Sequence, residues 1–228
     1  MSVKINSNEF QVNSYTNYDA ALQAHPTLYP IRTRVGYAGG YGFSSVNAED
    51  KTTVPNKCCI TLIGTGESPE GPQSFLMHIS PNILGGPKSS FVSDLQRTLI
   101  QLKGATREGS MRALVVGGYA GPSQYNDAKE FRPYKKEYID MIDLVERNVQ
   151  KQLAIGVEIH SSPKTQKNET HVAVLTNERN VVVVEAPQPG IVFDTPVQAR
   201  DLGTLLPYGF SEIWADFSKR FKLDSFNK

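Results

Sequence analysis

The sequence predicts an α+β fold, a layered sandwich in which two long helices pack on a mixed or antiparallel β-sheet. Three observations lead there. The first is a set of short apolar runs, CCITLIG (58–64), QSFLMHI (73–79), MRALVVGG (111–118), HVAVLT (171–176) and VVVVE (181–185), each bounded by turn-forming residues. The second is a pair of segments with apolar residues at helical spacing. The third is their order, β-β-α-β-α-β-β-β and then a helix, in which strands are grouped rather than alternating strictly with helices.

Residues 1 to 57 carry weaker signals. Tyr18 to His25 suits two helical turns stopped by Pro26. VGYAGGYGFSS (35–45) reads as a turn-rich loop. Its glycines resemble a phosphate-binding loop only on the surface, because the closing lysine and Ser/Thr are missing. From Cys58 the pattern sharpens into two strands joined by the loop GTGESPEGP (64–72), a hairpin with a long connection. Ser89 or Ser90 can then cap a helix with Phe91, Leu95, Leu99 and Leu102 on one face, ended at Gly104. After the strand MRALVVGG, Tyr138, Ile142, Val145 and Val149 mark a second helix over about Lys135 to Gln152. AIGVEIH (154–160) alternates like a strand, and HVAVLT, the turn NERN and VVVVE form a hairpin. A last helix is expected near Ser211 to Phe221, with the lone Trp214. The whole chain reads as a single domain.

Composition narrows the function. The 228 residues carry 24 basic and 23 acidic side chains, a net charge of +1, so no electrostatic case exists for nucleic acid or an anionic membrane as main partner. No run approaches the roughly 20 apolar residues of a membrane span, and the polar start MSVKINSNEFQVNSY has no signal-peptide core. The only cysteines, Cys58 and Cys59, are adjacent, which argues against a disulfide scaffold and for a reducing compartment. The sequon Asn168-Glu169-Thr170 is then a chance match.

Cys59 and His78 are the most reactive pair available. Cys59 opens one strand and His78 closes the next, so an antiparallel hairpin sets the thiol and the imidazole side by side. A nearby imidazolium lowers a thiol pKa from its usual value of about 8.5, and the same ring can protonate a leaving group. The competing reading is an inert buried cysteine and an ordinary strand-end histidine. Metal binding is disfavoured, since adjacent cysteines on a strand point to opposite faces. His25, His160 and His171 read as solvated or locally bonded. No GxSxG elbow, HExxH helix or dinucleotide fingerprint occurs.

The stretch Cys59-Ile-Thr-Leu-Ile, then Phe75-Leu-Met-His78-Ile-Ser-Pro81, resembles the CheD family of chemotaxis receptor glutamine deamidases. The resemblance continues through Lys103-Gly104-Ala105, Arg112-Ala-Leu-Val-Val-Gly117-Gly118-Tyr-Ala120, Glu146-Arg147-Asn148-Val149 and the final hairpin, covering about residues 51–185. The segments before and after then look like extensions. The resemblance implies a CheD-like fold with Cys59 as nucleophile, His78 as its proton carrier and, by position, Thr53 as third residue, with Thr52 beside it. It also assigns Gly117 and Gly118 to substrate binding. The chain departs from the family in having Lys57 and Cys58 where a glycine-serine pair usually precedes the cysteine. The catalytic domains of cytotoxic necrotizing factor and related bacterial deamidase toxins are similar in kind.

The expected function is therefore a cysteine-dependent protein glutamine deamidase, with no cofactor or metal and a protein bearing a reactive glutamine as partner. It would act in the cytoplasm, or as a bacterial effector exported without a leader into a host cell. The alternatives are a catalytically silent protein-binding module on the same fold, a transglutaminase, or a cysteine protease using the same two residues.

Overall fold

Stiff β-branched side chains favour extended backbone, and the runs Ile60–Ile63, Val172–Val174 and Val181–Val184 all lie in strands. The computed structural model describes residues 10–28, 31, 33–36, 40–53, 59–86, 88–118, 131–160 and 168–187. The elements run β1 (Gln11–Tyr15), α1 (Tyr18–Ala24), β2 (Thr33–Val35), β3 (Tyr41–Phe43), β4 (Lys51–Thr53), β5 (Ile60–Ser68) and β6 (Gly71–Ile79). Then follow α2 (Lys88–Ala105), β7 (Arg112–Gly117), α3 (Phe131–Leu153), β8 (Glu158–His160), β9 (Asn168–Leu175) and β10 (Asn180–Pro187).

The strands form two mixed five-stranded sheets. Sheet I has the order β1-β10-β9-β4-β2 and sheet II the order β3-β6-β5-β7-β8. Sheet II is antiparallel except for the β7–β8 pair, and sheet I has parallel pairs at both edges, β1–β10 and β2–β4. On sheet II, Ile60, Leu62, Phe75, Met77 and Val115 pack against α2 and α3, through Phe91, Leu95, Leu99, Met141 and Val145 among others. The alternate residues Ile63, Leu76, Leu114 and Val116 meet Val172, Val174, Val181 and Val183 of sheet I. The outer face of sheet I, with Ala173, Leu175, Val182 and Val184, is covered by Tyr18 and Ala21 of α1 and by Leu28. The layers are helices, sheet, sheet, helix.

The layered α+β class and both long helices agree with the sequence reading, and both helices do cover one sheet. The second sheet does not follow from that reading. Its strands β1, β2 and β4 are only three to five residues long and lie in the stretch before Cys58, too short to show a period of two. The continuous run VVVV of β10 is the pattern of a strand covered on both faces.

The hairpin also differs from expectation. GTGESPEGP is mostly strand, since β5 continues to Ser68 and β6 begins at Gly71. Gly64 and Gly66 serve close packing rather than a turn. A Cβ on Gly64 would lie 2.1 Å from the Phe75 ring, and one on Gly66 2.8 Å from Thr106 Cγ2. Only Gly71, with φ of +128°, is a true turn glycine.

Smaller differences follow local chemistry. The Asn17 carboxamide caps α1 by accepting from the Ala20 N–H at 2.8 Å. Gly104 sits inside the last turn of α2, which ends at Ala105. Of AIGVEIH only Glu158–His160 pairs, in parallel with β7. Part of VGYAGGYGFSS is strand, in β2 and β3. The expected last helix with Trp214 lies outside the described residues. Among the described residues no helix is long and apolar enough to cross a membrane.

Candidate active site between the sheets

The β5–β6 register fixes the geometry around the sequence-predicted pair. Ile60 stands opposite Ile79, and Thr61 opposite His78. Ile60 and Ile79 belong to the cluster under α2 and α3, so alternation turns Thr61 and His78 the other way, toward sheet I, with Ile63 and Leu76. Cys59, immediately before β5 and two residues from Thr61, falls by the same alternation on that face. Continued at the same spacing, the ladder would make Cys59 the diagonal neighbour of His78, positions whose Cβ atoms typically lie about 7–8 Å apart or somewhat less. An imidazole spans much of that gap. Cys58 lies outside the described residues, so the predicted opposition of the two cysteines is not visible.

Gly117 pairs with Ile60 at the end of the β5–β7 ladder, and the next residue, Gly118, packs against Ile60 and Tyr138. Both glycines have positive φ, +80° and +85°. At Gly118 any side chain is excluded twice over, because a Cβ would lie 2.4 Å from Tyr138 Cε2 and 2.7 Å from Ile60 Cγ2. The backbone of this bend is thereby drawn close to the start of β5.

Thr53 approaches from sheet I. Lys51, two residues before it, reaches Ser74 of β6 with its ammonium group, Nζ to Oγ 3.1 Å, so this face of β4 looks into the space between the sheets. Thr53 is completely buried, and its hydroxyl accepts from the Val172 N–H at 3.2 Å. It stands in the opposite sheet from Cys59 and His78, not in their ladder. Thr52 points to the other side, where its hydroxyl donates to Val172 O at 3.1 Å.

Burial dominates the electrostatics. Cys59 is 4% exposed and His78 is completely buried. Desolvation pushes the His78 imidazole down to about 3, so the ring is neutral at physiological pH. The imidazolium that the sequence reading places beside the thiol is absent in this arrangement, for want of water around the charge.

The remaining histidines sit elsewhere. His25 shares a 3.0 Å hydrogen bond with Tyr15, His160 a 2.9 Å one with Ser14, and His171 meets the edge of Tyr18 with centroids 4.9 Å apart. Among the described residues no group of three or more His, Cys, Asp or Glu side chains is placed to hold a metal ion. The sequence reading missed Thr61, which faces His78 directly and is fully buried. Its position two residues after Cys59 is the signal that would have found it.

No family model matches the chain, and comparison with curated proteins finds no match. Among solved structures, the Bacillus licheniformis hypothetical protein YfiH is 12% identical, with a TM-score of 0.32. That similarity covers 72% of this chain and 63% of the other, values at which it carries no inference about function.

Proposed function

We propose that the chain is a cysteine-dependent protein glutamine deamidase of the CheD type, with Cys59 as nucleophile and His78 as proton carrier. The observation that supports this reading is the β5–β6 register, which sets His78 opposite Thr61, two residues from Cys59, with the positive-φ Gly117 paired to Ile60 next to that cysteine. Neutral His78 takes the thiol proton as Sγ attacks the carboxamide carbon of a glutamine. Backbone N–H groups of the Gly117–Gly118 bend are the candidate donors to the oxyanion. The imidazolium returns its proton to the nitrogen, ammonia leaves, and a thioester remains. Water, losing a proton to His78, then releases glutamate and the free thiol, so one water is consumed per ammonia. An amine in place of water would give transglutamination. Thr53, buried on the inward face of sheet I, is the candidate third residue. The reducing compartment that adjacent cysteines suggest fits a cytoplasmic enzyme or an effector working inside a host cell.

Burial of both side chains favours a second reading, a catalytically silent binding module in which Cys59 and His78 are core residues. A base held near pKa 3 takes a thiol proton poorly, so turnover requires the site to open to water or substrate. The test is intact-mass and peptide mapping of candidate proteins after incubation, where deamidation makes one glutamine about 1 Da heavier. Ammonia release is compared for a native protein, a glutamine peptide and free glutamine. The reading expects release from the native protein alone. Loss of activity in Cys59→Ala and retention in Cys58→Ser complete it. Activity that survives Cys59→Ala overturns it.

A further inference from the structure

We propose that the cavity between the β3 edge of sheet II and helix α2 binds a small organic acid, a carboxylate carried on an apolar body. The cavity measures about 560 Å³, within the range of small-molecule sites. Arg97, Gln101 and Ala105 form one wall, spaced four residues apart on a single face of α2. Phe43 and Val46 form the other, partly buried against the core beneath α2 and α3. Phe43 pairs with Met77, whose side chain belongs to the helix-covered face. The cavity is thus on the far side of sheet II from His78, and the inference is independent of the deamidase reading.

Arg97 is held in a way that an ordinary surface ion pair does not require. Its side chain is half exposed, yet its partner Asp94 is buried and also accepts from the phenol of Tyr41, at 2.7 Å on Oδ2. Burial and the neighbouring carboxylate push the Tyr41 phenol well above its ordinary value, so it stays a donor. The chain Tyr41–Asp94–Arg97 fixes the guanidinium at the cavity wall. Among the described residues Arg97 gives one nitrogen to Asp94 and makes no other hydrogen bond. A guanidinium has five N–H donors in a planar fork that matches a carboxylate, so donors remain for a ligand. Gln101 and Ser45 add neutral polar groups to the lining, and Phe43, Val46 and Ala105 supply apolar surface for the body of the acid.

The experiment follows backbone amide NMR shifts of the full chain titrated with 4-phenylbutyrate, and with 4-phenylbutyramide as a probe of the same shape without charge. The acid is expected to give saturable shifts at Phe43, Val46, Gln101 and Ala105, and to bind roughly tenfold or more tightly than the amide. Arg97→Gln should remove that preference. Since this variant leaves Asp94 buried with one partner fewer, Ala105→Phe provides a second test. It fills the cavity while leaving the ion pair intact, and should abolish the shifts in a protein whose remaining spectrum is native. Equal binding of acid and amide, absence of saturable shifts in the millimolar range, or undiminished binding by Ala105→Phe overturns the proposal.

Discussion

Lys51 lies completely buried between the sheets, its ammonium group donating to Ser74 Oγ, to Asn47 O at 3.2 Å and to Glu49 O at 2.5 Å. Desolvation outweighs the attraction of Glu49 and Asp50 and pushes its pKa down to about 8. Because the unfolded chain then binds a proton that the folded chain gives up, stability rises with pH between about 8 and 10.5. The shift corresponds to an order of magnitude of 3 kcal/mol. Urea midpoints should therefore increase from about pH 8 to about pH 10, and Lys51→Met should flatten the rise. Above that range the raised phenols of Tyr41 and Tyr138 work in the opposite direction, since the unfolded chain ionises first. His78 acts with the same sign as Lys51 at acid pH. Its neutral ring loses stability for the fold as pH falls from about 6.5 toward 3, and His78→Ala should remove that acid-limb slope. The burial of Lys51 was not legible in the sequence, because a three-residue strand shows no period and only the second sheet makes it core.

Among the elements, the β5–β6 hairpin shows what periodicity conveys and what it hides. The runs ITLI and FLMHI announce two strands, and their antiparallel pairing already puts Cys59 near His78. The same sequence, dense in glycine and proline between them, hides seven residues of ladder from Gly64 to Ser68 and from Gly71 to Pro72. A glycine that makes room for an aromatic ring is indistinguishable in sequence from one that makes a turn. Gly64→Ala should accordingly cost on the order of 3 kcal/mol, read as a fall in the denaturation midpoint, because its Cβ would lie 2.1 Å from Phe75. Gly71→Ala meets no atom within 4 Å and should cost less, through its positive φ alone. Gly118→Ala combines both penalties and displaces Ile60, the residue next to Cys59, so it should lower thiol reactivity as well as stability.

At the scale of the whole molecule, the two helices and the hairpins predict a layered α+β chain, but the pairing of short N-terminal strands with β9 and β10 is a tertiary fact that no local window contains. That second sheet is what buries the candidate pair, and burial supplies a test separating the two functional readings. A cysteine that is 4% exposed reacts with iodoacetamide only when something opens. If Cys59 is an inert core residue, the opening is global unfolding. Its alkylation rate should then climb steeply with sublethal urea, with a slope approaching the equilibrium m-value. If Cys59 is a nucleophile reached by a local opening at the strand ends, little surface is exposed, so the rate should be nearly independent of urea well below the unfolding transition. Measuring the modification of Cys59 by peptide mass across a urea series, with Cys58 replaced by serine, gives that slope directly. We expect the shallow dependence, with a further loss of rate in His78→Ala. A slope equal to that of global unfolding would assign Cys59 and His78 to the core and remove the deamidase reading.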